Sequence, residues 1–407
     1  MISVEEALDR ILSRVTALGD ERVSLLEALD RVLAEPVVSA RELPPWPNSS
    51  MDGYALASAD TREARAEHPA RLRVAGQVAA GHIAQRPMAG GEAFRILTGA
   101  PLPDGADAVI PQEDVTLEGE TVRVPRPVPA GECVRRRGED IRPGDRLFEP
   151  GRALSPGDIG VLASLGWSRV RVIRRPVVGI LSTGDEIVDL GGEIGLGQIP
   201  NSNTYSLMAQ VRAAGAEPVN LGVARDRRNE IEARLRWGLG CDLLISSAGV
   251  SVGDHDFVKA ALEALGAEQH LWLVNMRPGK PITFATLPSP LKGTLPVFGL
   301  PGNPVSAMVT FELFVRPALR RMGGHARVMR PTRMARALAP IANPGSRRGY
   351  LRVVLQEAEG VLSARLTGEQ GSGILRSMAE ADGLAVLPGN TTVAAGDSVS
   401  VILLRDI

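Results

Sequence analysis

Residues 295–319 read LPVFGLPGNPVSAMVTFELFVRPAL. A β-rich apolar run, 295–300, enters a turn made of Pro301, Gly302, Asn303 and Pro304, and apolar residues then recur three and four apart as on a helix. Asn303 stands where a helix N-cap is expected, and Pro304 at the first helical position, where its missing N–H costs nothing. The stretch reads as strand, turn and helix, with the helix start presenting free amides that attract anions. One such turn is equally well a tight connection, so its weight depends on what surrounds it.

The same rhythm runs back to about residue 176. Strands are read at VVGILST (177–183), EPVNLGVA (217–224), DLLISSAG (242–249) and LWLVNM (271–276), and helices at TYSLMAQVRAAG (204–215), NEIEARLRWGLG (229–240) and DFVKAALEALG (256–266). Alternating short strands and helices specify a doubly wound α/β domain with a parallel sheet, placed at 176–326. Residues 50–140, rich in Gly, Pro and short alternating runs, read as a small β domain. Residues 1–49 and 141–175 form an N-terminal linking unit with a capped helix at SPGDIGVLASLG. The tail from 327 to 407 reads as a β-barrel-like domain.

At 407 residues the chain is too long for one hydrophobic core. Its net charge is −1, and no block of five like charges occurs, which argues against nucleic acid or a membrane surface as partner. The expected partners are small molecules or copies of itself. The start, MISVEEALDRILSRV, is acidic and helical in period, unlike a secretion signal, and no apolar run is long enough for a membrane span, so a cytoplasmic protein is expected. Cys133 and Cys241 with five histidines provide neither a disulfide framework nor zinc-ligand spacing. Arginine outnumbers lysine forty-three to three. A lysine retained against that bias, such as Lys280, marks a position suited to a compact ammonium.

In a doubly wound sheet, ligands bind beyond the carboxyl ends of the strands. The residues there are Thr183, Gly184, Asp185 and Glu186; then Arg225 and Asp226; then Gly249, Ser251, Gly253, Asp254 and Asp256 within GVSVGDHD; then Arg277 and Lys280 within RPGKP; and finally the PGNP turn. Five loops are expected to converge on one crevice. Glu186, Asp226 and Asp256 are each as well explained as charges at a helix start, but together, beside an anion cradle, they call for a divalent cation. Hard oxygen ligands next to phosphate suit Mg²⁺. The crevice is expected to take a nucleotide or phosphorylated cofactor. Elsewhere, Asp52 in NSSMDGYAL and Thr98 in RILTGAP read as hairpin turns.

The segments PPWPNSSMDGYAL, RILTGAPLPDGADAVIPQED, GEDIRPGD, LSTGDEIV, SNTYSL, SAGVSVGDHDFVK, RPGKPITFATL, GLPGNPVSAM and TGEQGSGILRSM, in that order, resemble the MoeA-type molybdopterin molybdenumtransferase family, related to the gephyrin E domain. The resemblance implies transfer of molybdenum from molybdate into adenylylated molybdopterin, with Mg²⁺ assisting and AMP released. It also implies an elongated homodimer whose cleft forms between the α/β domain of one subunit and the C-terminal barrel of the other. Carried onto this chain, the family's acids match Asp52, Asp140, Glu186, Asp226 and Asp256. Thr98, Pro301 and Pro304 match its turns, and Lys280, Ser306, Arg347 and Ser372 its molybdate pocket. Three departures stand out: Arg277 where lysine is usual, Ala248 where glycine is usual, and Gly349 where an acid is usual. The change at Ala248 is mild if its φ is negative. Whether Arg347 or Arg352 faces the site is open at this stage. Two other readings are a molybdate-independent pyrophosphatase resembling the CinA family and a gephyrin-like scaffold.

Overall fold

The computed structural model describes residues 1–248, 257–289 and 293–405. Its central sheet has six strands in the order Glu217–Ala224, Val177–Thr183, Leu243–Ser247, Gly293–Leu300, Pro281–Ser289 and Glu268–Leu273. The first four run parallel. Leu243–Ser247 is buried along its whole length, as a strand covered on both faces must be. Helices Ser202–Ala213, Pro304–Thr310 and Arg316–Met322 cover one face, joined by Val4–Leu12, around Ile180, Ile245, Phe298 and Phe311. Helices Arg228–Trp237 and Phe257–Ala264 cover the other, around Leu181, Ile231, Leu244 and Val258.

The strand expected at 271–276 is displaced. Glu268–Leu273 forms the sheet edge, and Pro281–Ser289, which the spacing does not single out, lies antiparallel between it and Gly293–Leu300. Pro281–Ser289 is buried at all but its first and penultimate residues, so strict alternation is missing and periodicity cannot reveal it. Met276–Arg277 leaves the sheet and pairs with Arg348–Gly349 of the C-terminal domain. The long helix after the opening turn is broken by one π-helical turn, Phe311–Val315, which directs Glu312 inward to accept from the Gln210 amide at 2.8 Å and from Arg330 at 2.8 Å.

The C-terminal strands Thr332–Ala337, Arg348–Ala358, Val361–Leu366, Gly383–Leu387 and Ser398–Leu403 close into a five-stranded barrel, because Arg348–Ala358 pairs with both Val361–Leu366 and Gly383–Leu387. Closure removes the open sheet edges. In the N-terminal part, Gly53–Leu56 sits inside a six-stranded sheet between Ala108–Pro111 and Glu92–Ile96. A side chain at Gly53 would collide with the Ile110 carbonyl, so the close approach of these strands requires glycine there. The helix Pro156–Ser164 carries the expected capping box between Ser155 and Asp158. Among the described residues, no helix is long and apolar enough to cross a membrane.

Candidate functional site

A cavity of about 630 Å³ opens at the carboxyl ends of Val177–Thr183 and Leu243–Ser247. Thr183, Glu186, Asn203, Ser247, Asn303 and Gly373 are among its walls, so the α/β domain and the C-terminal domain both contribute. Its floor is built from polar residues that fix one another. The buried Asn201 side chain caps helix Ser202–Ala213 by accepting from the Thr204 N–H, and it also accepts from the Ser182 hydroxyl at 3.1 Å. The Asn203 amide then donates to the Ser247 hydroxyl at 2.8 Å and to the Gly302 carbonyl at 2.7 Å, tying the helix start to two strand ends. Asn203 is not distinguished by spacing. Its signal is positional: an amide at a helix start facing the sheet's carboxyl edge.

Two atoms in this cavity lack partners. The Thr183 hydroxyl and the Asn203 Oδ1 are buried with no hydrogen bond among the described residues. An orphaned buried polar group costs about 1–3 kcal/mol, and a ligand that pairs with it recovers that energy.

At one margin of the cavity three acids gather. Asp185 and Glu186 follow Val177–Thr183, and the Asp226 N–H donates to Asp185 Oδ1 at 3.3 Å. Burial, and then the neighbouring Asp185 and Glu186 charges, raise the Asp226 carboxyl above the usual carboxylate range. A cation would relieve this repulsion. No three His, Cys, Asp or Glu side chains among the described residues lie close enough to enclose a metal by themselves. Glu186 and Asp226 are hard oxygen donors, of which Mg²⁺ typically takes one or two while phosphate and water fill its remaining positions. Gly249, Ser251 and Asp256 lie outside the described residues.

The cationic residues lie elsewhere on the same edge. Lys280 is exposed and directly precedes Pro281–Ser289, three strands from Val177–Thr183, or roughly 14 Å at about 4.8 Å per strand step. The expected single crevice is therefore an extended edge: Asp226, Lys280 and Arg277 do not line the cavity. Arg347 and Arg352 differ in burial. Arg347 is half-buried and donates to the Met276 carbonyl at 3.0 Å, beside Arg277. Arg352 is fully buried and holds the 367–373 loop by donating to the Glu369, Gln370 and Gly371 carbonyls and to the Ser377 hydroxyl. Burial and the nearby Arg277 push its guanidinium down to about 10. Gly349 is dictated by packing, since a Cβ there would lie 2.9 Å from the Asn343 amide, which clamps the Arg347, Leu387 and Pro388 carbonyls.

The opening turn differs in two details from its sequence reading. Asn303 occupies the N-cap position, but its side chain makes no capping bond. The Val305 N–H, expected to be free, donates to the Ser372 carbonyl at 3.1 Å, so a barrel loop covers that part of the helix start. Pro301 is buried, and Ser306 is buried within the helix away from the cavity lining. Ala248 has φ +76°, against the negative value that would make it a mild change, and its Cβ sits opposite Gly302. For a residue other than glycine, this conformation is strained.

Asp52 and Thr98 are more than turn residues. Asp52 Oδ1 accepts from both the Thr98 N–H and its hydroxyl at 2.7 Å, and these bonds hold the carboxyl below the usual carboxylate range. Asp140 is exposed in the loop next to Leu43, whose carbonyl accepts its N–H. None of these three lines the cavity of this chain.

Three family models match the chain. Residues 2–166 match the MoeA N-terminal region (domains I and II), residues 179–321 a probable molybdopterin binding domain, and residues 334–404 the MoeA C-terminal region (domain IV). The molybdopterin molybdenumtransferase of a Nostoc species is 38% identical, the alignment covering 99% of this chain and 94% of the relative. That of Bacillus subtilis is 34% identical, covering 100% and 94%. A crystal structure of the molybdopterin biosynthesis MoeA protein from Pyrococcus horikoshii superimposes over all of both chains with a TM-score of 0.82 at 32% identity. With its whole length matched in this way, the chain belongs to the MoeA family of molybdopterin molybdenumtransferases.

Proposed function

We propose that this chain transfers molybdenum from molybdate into adenylylated molybdopterin, releasing AMP and molybdenum cofactor, and that it does so as a homodimer. The observation that carries the reading is the cavity at the sheet's carboxyl edge, with two orphaned polar atoms, Thr183 Oγ1 and Asn203 Oδ1, beside a cluster of mutually repelling acids. In this reading Thr183, Asn203 and the Pro301–Pro304 turn hold the nucleotide part of the substrate. Glu186 and Asp226, with Asp256, hold Mg²⁺. When bound, the metal supplies positive charge that neutralises the pyrophosphate link.

Lys280, Arg277 and Arg347, with Ser306 and Ser372, form the molybdate end. A lysine ammonium and two guanidiniums concentrate the oxyanion and hold it near the substrate's dithiolene, contributing proximity. Asp52, Thr98, Asp140, Gly249 and Ser251 complete the proposed site. Asp52 and Asp140, remote from the cavity of their own chain, act in the cleft of the partner subunit.

The test is AMP release from adenylylated molybdopterin with and without molybdate. We expect release that depends on molybdate and Mg²⁺, and a Thr183→Val variant that folds normally with a raised KM. Equal release without molybdate would replace the transferase reading with a simple pyrophosphatase.

A further inference from the structure

A second cavity, of about 770 Å³, lies away from the candidate site and shares no lining residue with it. It forms where residues 29–32 and 173–175 meet the C-terminal ends of helices Ser202–Ala213 and Arg316–Met322. Five arginines face it. Three are neutralised: Arg31 by Glu21 at 2.5 Å, Arg174 by both carboxylate oxygens of Asp242 at 2.5 and 2.6 Å, and Arg175 by Glu217 at 3.1 Å.

The other two, Arg212 and Arg320, have no ion pair among the described residues. Arg320 Nε is buried without a partner. Behind it, Arg316 Nε is also buried without a hydrogen bond, because the nearest acid, Glu312, lies 3.9 Å away and is already taken by Arg330 at 2.8 Å. His325, also in the wall, is pushed down to about 4 by burial and by Arg320 and Arg316, and is therefore neutral at physiological pH. Asp30 is the one acid facing the cavity without an ion pair among the described residues; it is exposed, and its charge reaches Arg320 without a salt bridge.

Position at a helix C-terminus explains why cations at 212 and 320 are tolerated. It does not explain a guanidinium whose Nε is desolvated and unpaired, which is costly unless something anionic completes it. Two unpaired guanidiniums and a third shared behind them exceed the single carboxylate, and guanidinium forks match tetrahedral oxyanions. We propose that this cleft binds a phosphate-class dianion, with Arg320 and Arg212 as its ligands.

The test titrates the full chain with inorganic phosphate, replacing chloride at constant ionic strength, and follows the melting temperature and the binding heat. Wild type is expected to show saturable binding and a rise in Tm. Arg320→Gln should weaken phosphate binding by about tenfold or more, as loss of a charged ligand does, and Arg212→Gln should weaken it less. Arg62→Gln, an exposed arginine that lines neither cavity, should leave it unchanged. In chloride alone, Arg320→Gln should melt no lower than wild type, since it removes an uncompensated charge.

Repeating the titration with glycerol phosphate separates the sources: tighter binding assigns the cleft to a phosphate monoester, and weaker binding to free phosphate. The proposal is overturned by an absent wild-type response, or by a response that survives in both arginine variants. It is equally overturned if Arg320→Gln melts lower in chloride and keeps the phosphate increment, because the arginine would then be structural. Arg212 is exposed, so its variant keeps the test valid even if the Arg320 variant fails to fold.

Discussion

The two ends of the central sheet's carboxyl edge carry opposite chemistry. At one, Asp185, Glu186 and Asp226 crowd together and raise the Asp226 carboxyl. At the other, Lys280, Arg277 and Arg347 gather where the barrel strand Arg348–Ala358 joins Met276–Arg277. Three strand steps, roughly 14 Å, separate Val177–Thr183 from Pro281–Ser289, which Lys280 directly precedes. A side chain cannot serve both ends, so under the proposed reaction the metal-bound pyrophosphate and the oxyanion occupy distinct subsites, bridged by an elongated substrate. Opposite charges at a distance also avoid mutual neutralisation. Salt-bridging the acids to the lysine would remove the attraction that each end offers its ligand.

The sharpest way to break this comparison is at the acidic end. Replacing Glu186 by Gln and Asp226 by Asn together should lower AMP release on the order of 10²-fold, as expected for removing charge stabilisation in a transition state. The same double variant should bind molybdate as wild type does. Loss of molybdate binding instead would merge the two ends into one site. Stability moves the opposite way. The folded-state value of Asp226 lies above its unfolded one, so its contribution is present in acid and lost as pH rises through the folded value. Asp226→Asn alone is therefore expected to melt above wild type at neutral pH without Mg²⁺, and to gain less from added Mg²⁺.

The next effect separates the two barrel arginines. Arg352→Met leaves several buried carbonyls unpaired and should cost about 3 kcal/mol in urea unfolding, whereas Arg347→Met should cost less than about 0.5 kcal/mol. The reversed order would show that Arg352 is the residue available to the substrate. A smaller effect probes the ammonium: Lys280→Arg keeps the charge but changes its shape, and molybdate affinity by calorimetry is expected to fall about tenfold. Unchanged affinity would mean that charge alone matters at this end. The smallest effect is at Ala248. Glycine removes the strain of φ +76° but adds chain entropy, leaving a net gain of about 0.5 kcal/mol.

Residues alone determined much of this molecule. Alternating strand and helix periods specify the doubly wound domain, because each period commits one face to the core, and the Gly- and Pro-punctuated flanks specify small β domains. The polar ends of the strands point to the edge where the proposed site lies. Tertiary structure decided what periodicity cannot encode. Pro281–Ser289 is buried on both faces, so nothing in its alternation marks it as a strand, and its insertion sets Lys280 at its start, three strands from Val177–Thr183. Thr183 and Asn203 matter because folding leaves Thr183 Oγ1 and Asn203 Oδ1 buried without partners among the described residues, a property of surroundings rather than of residue type. That Arg352, and not Arg347, is enclosed by the 367–373 loop is likewise a fact of packing. Burial and charge balance arise from contacts between distant segments, and those contacts exist only once the chain has packed.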